Sequence, residues 1–143
     1  MAEGLLKLIV SQKGQSWRIG SAGVFAKAGY PAAEFTLAIL NSNGIDLSAH
    51  HSRIVTSELI DQYNLVLTME QGQKEALISA FPNRKGSILL LSEIVDGRWD
   101  IVDPVGGEYL EYLDTAREIK EILEAGFEQI QARASSTGDK NAG

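Results

Sequence analysis

The fold is decided by the stretch Leu65-Val66-Leu67-Thr68-Met69, an apolar run between two polar segments. A run of this kind is typical of a parallel strand that is buried on both faces. Ser87 to Leu91 has the same character, and the segment between them, Gln71 to Phe81, reads as a helix that ends before Pro82. A strand, a helix and a second strand in this order predict an α/β domain with a parallel sheet.

Helices are predicted on the amino-terminal side of this unit. Residues 2–13 place leucine, isoleucine and valine at helical spacings until Gly14. Phe35 to Leu40 repeat that pattern until Gly44. A short helix is predicted to run from a Thr56 cap to Tyr63.

Two further elements complete the predicted domain. Trp17 to Gly23 alternates apolar and polar residues at its start, which predicts a short strand closed by a turn. The longest helix is predicted to begin near Glu108, with an apolar stripe spaced by three and four that consists of Tyr109, Tyr112, Leu113, Ala116, Ile119, Leu123, Phe127 and Ile130. We expect one domain over residues 1–133 and a flexible tail over residues 134–143, because the tail has nothing to bury.

Composition excludes several classes of function. The chain has 143 residues, of which 44% are hydrophobic and 22% charged, and this composition fits one globular domain. Its net charge is −6 and it has no clustered basic face, so no nucleic-acid partner is expected. No apolar run approaches the roughly 20 residues of a membrane span, and the first ten residues have no basic leader. We therefore expect a soluble, cytoplasmic protein without a membrane partner.

Metal sites and cysteine chemistry are not expected either. The chain contains no cysteine, which excludes disulfides, thiolate metal sites and cysteine nucleophiles. His50 and His51 are adjacent and do not converge on one metal as an i, i+4 pair can. Asp96, Asp100 and Asp103 have the wrong spacing for a calcium loop. We expect no metal and no cofactor.

Four short segments, in order and at their observed spacings, carry a family resemblance. They are Ser21-Ala22-Gly23; Gly44-Ile45-Asp46-Leu47-Ser48 with His50-His51-Ser52-Arg53; Leu65 to Met69 with Glu70; and Asp100-Ile101-Val102-Asp103-Pro104-Val105-Gly106-Gly107. Together they resemble the low-molecular-weight protein-tyrosine phosphatase family. The Asp-Pro-x-Gly-Gly form is similar to the bacterial branch, which includes both tyrosine and arginine phosphatases, and it is common to the two.

The resemblance implies a fold from which one part is missing. Members of the family have a central first strand, in the order 2-1-3-4, followed by a phosphate loop C-x-x-x-x-x-R-S-P and a helix that often reads M-A-E-x-L. This chain opens with Met1-Ala2-Glu3-Gly4-Leu5 and so resembles the family from just after that loop. The expected fold is a single three-layer domain of the phosphotyrosine-phosphatase-I type without its central first strand.

The resemblance also implies site residues. In the family a cysteine thiolate attacks phosphorus, an arginine grips the phosphate, and a carboxylic acid protonates the leaving group. Asp103 matches that acid, and Pro104 would pin its loop. His50 and Ser21 match residues that support the phosphate loop from behind.

Three hypotheses remain open for function. Met1 is an internal methionine of an ordinary phosphatase, active on phosphorylated proteins or small phosphomonoesters, and this chain is its inactive remainder. Alternatively, the chain is a pseudo-phosphatase that acts as a binding or dimerisation module. The third hypothesis is a different α/β enzyme that needs no cysteine.

Stability sets a further expectation about partners. A central strand typically buries about five apolar side chains at ~1.5–3 kcal/mol each, so its loss costs ~8–15 kcal/mol. The whole stability of a domain is only ~5–15 kcal/mol. We expect a marginal or unfolded monomer unless another chain, the tail or a rearranged sheet closes the gap, and we predict a homodimer or strand exchange.

Overall fold

A small parallel sheet with helices on both of its faces forms the centre of the protein. The computed structural model describes residues 1–23, 34–46, 53–104 and 106–136. Within these ranges the elements are α1 (Ala2–Gln12), α2 (Glu34–Ser42), α3 (Ser57–Ile60), β1 (Val66–Thr68), α4 (Gln71–Ala80), a 3₁₀ helix (Pro82–Ser87), β2 (Ile88–Leu90), a second 3₁₀ helix (Leu91–Val95), α5 (Tyr109–Ala125) and α6 (Phe127–Ser136).

The predicted strand–helix–strand unit is confirmed. β1 and β2 pair in parallel, with Val66 opposite Ile88 and Thr68 opposite Leu90. The predicted cap of α3 is also present, because the Leu59 amide donates to the Thr56 hydroxyl at 3.1 Å. The fold class is therefore α/β, as the apolar runs predicted.

Two cores lie on opposite faces of this sheet. The larger core joins α1, α2, α5 and α6 to the sheet through buried side chains that include Leu5, Ile9, Ile39, Leu40, Leu65, Ile119, Leu123 and Ile130. The smaller core consists of Ile60, Leu77 and Ile88. Successive residues of β1 alternate between the two cores, since Leu67 packs against the larger one and Val66 against the smaller. The result is a three-layer domain.

The prediction of one long carboxyl-terminal helix is wrong. α5 ends at Ala125 and α6 begins at Phe127, on either side of Gly126. A Cβ atom at Gly126 would lie 2.1 Å from Cγ2 of Ile94, so only glycine permits this close approach. α6 continues to Ser136, three residues past the predicted domain boundary, and residues 137–143 lie outside the described ranges.

The predicted strand at Trp17 is not formed. In the described residues, this segment contributes only one bridge, between Gly23 and Ile54. The Trp17 ring instead stacks on Phe127, with centroids 5.0 Å apart and planes 9° apart. Tyr109, predicted as the first residue of the buried stripe, is 40% exposed.

Arg84 joins the ends of several elements on the side of the smaller core. Its guanidinium donates to the Ile60 carbonyl at 2.7 Å and to the Tyr63 carbonyl at 2.6 Å. Its Nε atom donates to the Ser87 hydroxyl at 3.0 Å. One side chain thus satisfies carbonyls at the end of α3 and holds the turn that enters β2.

We predict that Arg84→Met lowers the free energy of unfolding by about 2–4 kcal/mol, because it leaves these acceptors without their charged donor. Lys85→Met is the matched control: Lys85 is exposed in the same 3₁₀ helix, and its replacement should change stability by less than about 0.5 kcal/mol. Urea titration followed by circular dichroism measures both. Equal destabilisation by the two variants would contradict the role given to Arg84.

Candidate functional site

A groove of about 410 Å³ runs alongside β1, and we call it the central groove. Residues 19–23 and residues 65–69 both line it. Its remaining walls come from both cores: Leu6, Tyr112, Ile119 and Leu123 from the larger one, and Val55, Ile60 and Leu77 from the smaller. The groove is therefore predominantly apolar, and it lies where the resemblance predicts the missing strand.

The backbone of β1 borders the central groove. Among the described residues, β2 is the only strand that pairs with β1. A strand paired on one side uses alternate backbone groups, so the intervening N–H and C=O groups of β1 point away from β2. Within the described ranges, no backbone–backbone hydrogen bond involves residues 17–22. The central groove is thus lined by polar backbone as well as by apolar side chains.

One end of the central groove is polar and lies at the amino terminus of α1. Burial lowers the pKa of the Met1 α-amino group, while the negative charges of Glu3 and Asp103 act in the opposite direction. The electrostatic effect of Asp103 on this amine indicates that its carboxylate lies close to the first turn of α1. Asp103 itself is exposed to solvent.

The loop that carries Asp103 is attached to β1 and to α4. The Ile101 amide donates to the Met69 carbonyl at 2.8 Å, immediately after β1. The Asp100 carboxylate accepts from the Gln71 amide at 2.9 Å, at the start of α4. Pro104 accepts from the Gly107 amide at 2.8 Å and so closes the turn that leads towards α5. These contacts hold Asp103 at the carboxyl end of the sheet.

Ser21 lies at the same end. Its hydroxyl donates to Glu3 at 2.7 Å, which connects the wall of the central groove to α1. Its carbonyl accepts from Nε and Nη2 of Arg53, at 3.3 and 3.2 Å. The structure therefore brings Ser21, Asp103 and Pro104 to one end of the groove, whereas His50 lies outside the described residues and its role remains a prediction.

Sequence reasoning missed three residues at this site. Glu3 and Arg53 both hold Ser21, although neither was assigned a role. Gly20 packs closely against the ends of the Tyr63 and Arg53 side chains, because a Cβ atom there would come within 2.3 Å of the Tyr63 hydroxyl. Arg53 falls within a segment that carries the resemblance, and this was the only signal that could have identified it.

The described residues offer limited chemistry at this site. They contain no cluster of three or more histidine, cysteine, aspartate or glutamate side chains that could hold a metal ion. None of the helices in the described ranges is long and apolar enough to span a membrane. What the groove does offer is a carboxylate beside a helix amino terminus, where the helix dipole favours anions.

These features define an α/β domain with a carboxylate beside a helix amino terminus, and comparison with known proteins gives the family. The sequence model of the low molecular weight phosphotyrosine protein phosphatase family matches residues 1–136, and the chain belongs to this family.

Its relatives include both tyrosine and arginine phosphatases. The protein-arginine-phosphatase of Bacillus subtilis is 33% identical over 132 residues, which are 92% of this chain and 87% of that protein. The probable low molecular weight protein-tyrosine-phosphatase EpsP of Ralstonia nicotianae is 32% identical over 118 residues, covering 82% of this chain and 77% of that protein.

Solved structures show the same likeness. A YwlE mutant from Bacillus subtilis superimposes with a TM-score of 0.85 at 32% identity, over 91% of this chain and 88% of its own. The low molecular weight protein tyrosine phosphatase from T. tengcongensis has the same TM-score and identity, over 90% and 88%.

We predict that Asp103→Asn lowers the pKa of the Met1 amine further, because the substitution removes a negative charge that favours the ammonium form. NMR titration of the amine, on protein shown by mass spectrometry to retain Met1, measures the change. Asp114→Asn is the matched control, since Asp114 is 76% exposed on α5. If both variants leave the amine unchanged, Asp103 does not lie beside the start of α1.

Proposed function

We propose that this chain is a low-molecular-weight protein phosphatase domain that carries the general acid, and that by itself it does not hydrolyse phosphomonoesters. The observation that carries the proposal is the placement of Asp103 beside the amino terminus of α1 in a 143-residue chain without cysteine. Hydrolysis through a phospho-enzyme needs a nucleophile, a nest of amides and a group that grips the phosphate. No cysteine in this chain can supply that nucleophile.

The proposed roles follow from positions in the site. With a nucleophile in place, Asp103 would protonate the leaving group and then accept a proton from the hydrolytic water. Pro104 and its turn hold this acid, and Ser21 with Glu3 holds the wall of the central groove against α1. His50 is assigned to support the phosphate loop by resemblance alone.

The proposed substrate of the restored enzyme is a phosphorylated protein or a small phosphomonoester, handled in the cytoplasm. Named relatives act on phosphotyrosine or on phosphoarginine proteins. Both side chains carry the same phosphoryl group, and the proposed roles of the site residues are the same for either.

A binding or dimerisation role is the second candidate, and the central groove favours it. Among the described residues β1 is paired on one side only, its other edge borders an apolar cavity, and such an edge pairs readily with a further strand. We propose that another polypeptide chain covers this edge, through a homodimer, strand exchange or a separate donor.

We predict that the chain as given has no activity above background on an aryl phosphate or on a phosphoarginine substrate. Adding a family-type strand and the loop C-x-x-x-x-x-R-S-P before Met1 should create a phosphatase. In that restored protein Asp103→Asn should reduce kcat by about 10²- to 10⁴-fold, the usual contribution of a general acid. Asp114→Asn should leave kcat unchanged.

Two results would reject these assignments. Phosphatase activity that copurifies with the chain and disappears in Asp103→Asn would show that the chain is active without cysteine. A restored protein that folds, binds phosphate and turns over equally well with Asn at position 103 would show that Asp103 is not the acid.

We predict that light scattering finds the purified full chain in self-associated form when no other polypeptide is present, because its strand edges then have only each other as partners. Gly126→Leu, which cannot accommodate Ile94, serves as a control for association caused by unfolding alone. A monodisperse monomer with cooperative unfolding would exclude obligate dimerisation.

A further inference from the structure

We propose that Asp100 is a positioning residue for Asp103. Its carboxylate accepts from the first amide of α4 and thereby fixes the direction in which the Asp103 loop, residues 98–104, presents the acid. The role rests on the proposed function, in which Asp103 is the general acid. Asp100 acts through the backbone of the loop and is assigned no chemical step of its own.

Three successive residues of the Asp103 loop are bonded to three different elements. The Ser92 hydroxyl, which is buried, donates to the Trp99 carbonyl at 2.8 Å and accepts from the Trp99 amide at 3.1 Å. Asp100 is bonded to α4 at 2.9 Å, and the Ile101 amide donates to the Met69 carbonyl, directly after β1, at 2.8 Å. The loop is therefore attached to the second 3₁₀ helix, to α4 and to the end of β1 within three residues.

The bond made by Asp100 restricts a rotation that the other contacts of the loop leave open. Ile101 is 2% exposed in the larger core, so it is a fixed point in the loop. Val102 is 74% exposed, so core packing does not hold the backbone between Ile101 and the acid. A second bond to the same β1–α4 turn, one residue before the fixed point, sets the orientation of the loop as well as its position. Asp103 lies two residues beyond that point, and proton transfer depends on such geometry.

The start of α4 is suited to be the anchor. Gln71 is the first residue of this helix, and its amide has no acceptor within the helix. Asp100 supplies that acceptor, and its negative charge is favourable at a helix amino terminus. Glu70 and Gln73 form a capping box, in which the Gln73 side chain accepts from the Met69 and Glu70 amides, each at 3.2 Å. The turn to which the loop is bonded is thus itself held by hydrogen bonds.

Both partners of the bond can be removed separately, each with a matched control. Gln71→Pro deletes the donor but suits the first position of a helix, and Glu70 already has the extended conformation that precedes proline, with φ −127° and ψ 148°. Gln71→Ala keeps the amide and is its control. Asp100→Ala deletes the acceptor, whereas Asp100→Asn keeps an acceptor oxygen and removes only the charge.

The first measurement is hydrogen exchange of the Ile101 amide in the full chain, followed by NMR. We expect exchange about tenfold or more faster in Gln71→Pro and in Asp100→Ala, because the loop opens more readily once the bond is lost. Gln71→Ala and Asp100→Asn should remain within about threefold of the unmodified chain. The double variant Gln71→Pro/Asp100→Ala should exchange no faster than either single variant, since both remove one bond.

The second measurement reports where Asp103 lies. The charge of Asp103 raises the pKa of the Met1 amine, so displacement of the acid should lower that pKa towards the value of Asp103→Asn. We expect this decrease in Gln71→Pro and Asp100→Ala but not in Asp100→Asn, measured by NMR titration of protein that retains Met1. Because Asp100→Asn also removes the charge at position 100, a direct effect of that charge would appear in both variants of Asp100.

In the restored phosphatase described above, Asp100→Ala should lower kcat about tenfold and leave KM unchanged. In the Asp103→Asn background it should have little further effect, because Asp100 acts through the acid. If Asp103→Asn has no effect there, the proposed acid is wrong. The exchange and titration measurements on the full chain need no catalysis, and they still decide whether Asp100 fixes the position of Asp103.

Three results would overturn the inference. One is unchanged exchange of the Ile101 amide in Asp100→Ala and Gln71→Pro, or a change in only one of them when circular dichroism shows both to be folded. Another is faster exchange with an unchanged pKa of the Met1 amine, which would mean that the loop loosens without moving Asp103. The last is an equal effect of Asp100→Asn and Asp100→Ala, which would assign the effect to charge. Asp100 is exposed, so Asp100→Ala tests the inference on folded protein even if Gln71→Pro does not fold.

Discussion

The parallel pairing of β1 with β2 is the contact on which both cores depend. Each strand has only three residues, yet the pairing places Leu67 and Leu89 against the larger core and Val66 and Ile88 against the smaller one. Helices α1 and α5 then cover one face and α3 and α4 the other. Because side chains of a strand alternate between its faces, a slip of one residue in β1 would exchange the two sets and leave both cores mismatched.

The same pairing leaves the other edge of β1 beside the central groove. Cavities with mixed polar backbone and apolar walls are costly to leave open, since neither water nor hydrocarbon satisfies both kinds of surface. This physical conflict links the two proposed roles of the protein. A strand that entered the groove would satisfy the backbone and fill the apolar walls.

The polar end of the groove owes its geometry to three attachments rather than to one motif. The Asp103 loop is attached to β1 through Met69 and to α4 through Asp100. Ser21 is attached to α1 through Glu3, and Arg53 holds its carbonyl. These contacts bring together residues that are distant in the sequence, since Ser21 and Asp103 are 82 positions apart. The position of the acid therefore depends on the whole arrangement of sheet and helices.

Local patterns in the sequence were sufficient for the parts of this protein whose partners are close in the chain. The apolar runs at Leu65 and Ser87, the helix between them and the Thr56 cap are confirmed, because burial on both faces and capping act over a few residues. The segments around Asp103 carried the family resemblance because they too are short patterns of neighbouring residues.

Tertiary structure alone decided the break at Gly126, where Ile94 packs, and the pairing of Ser21 with Glu3. It also decided the conformation of Trp17, which lies in an alternating apolar and polar segment that predicted a strand. A strand needs a neighbouring strand to pair with, and the Trp17 ring instead stacks on Phe127 of α6.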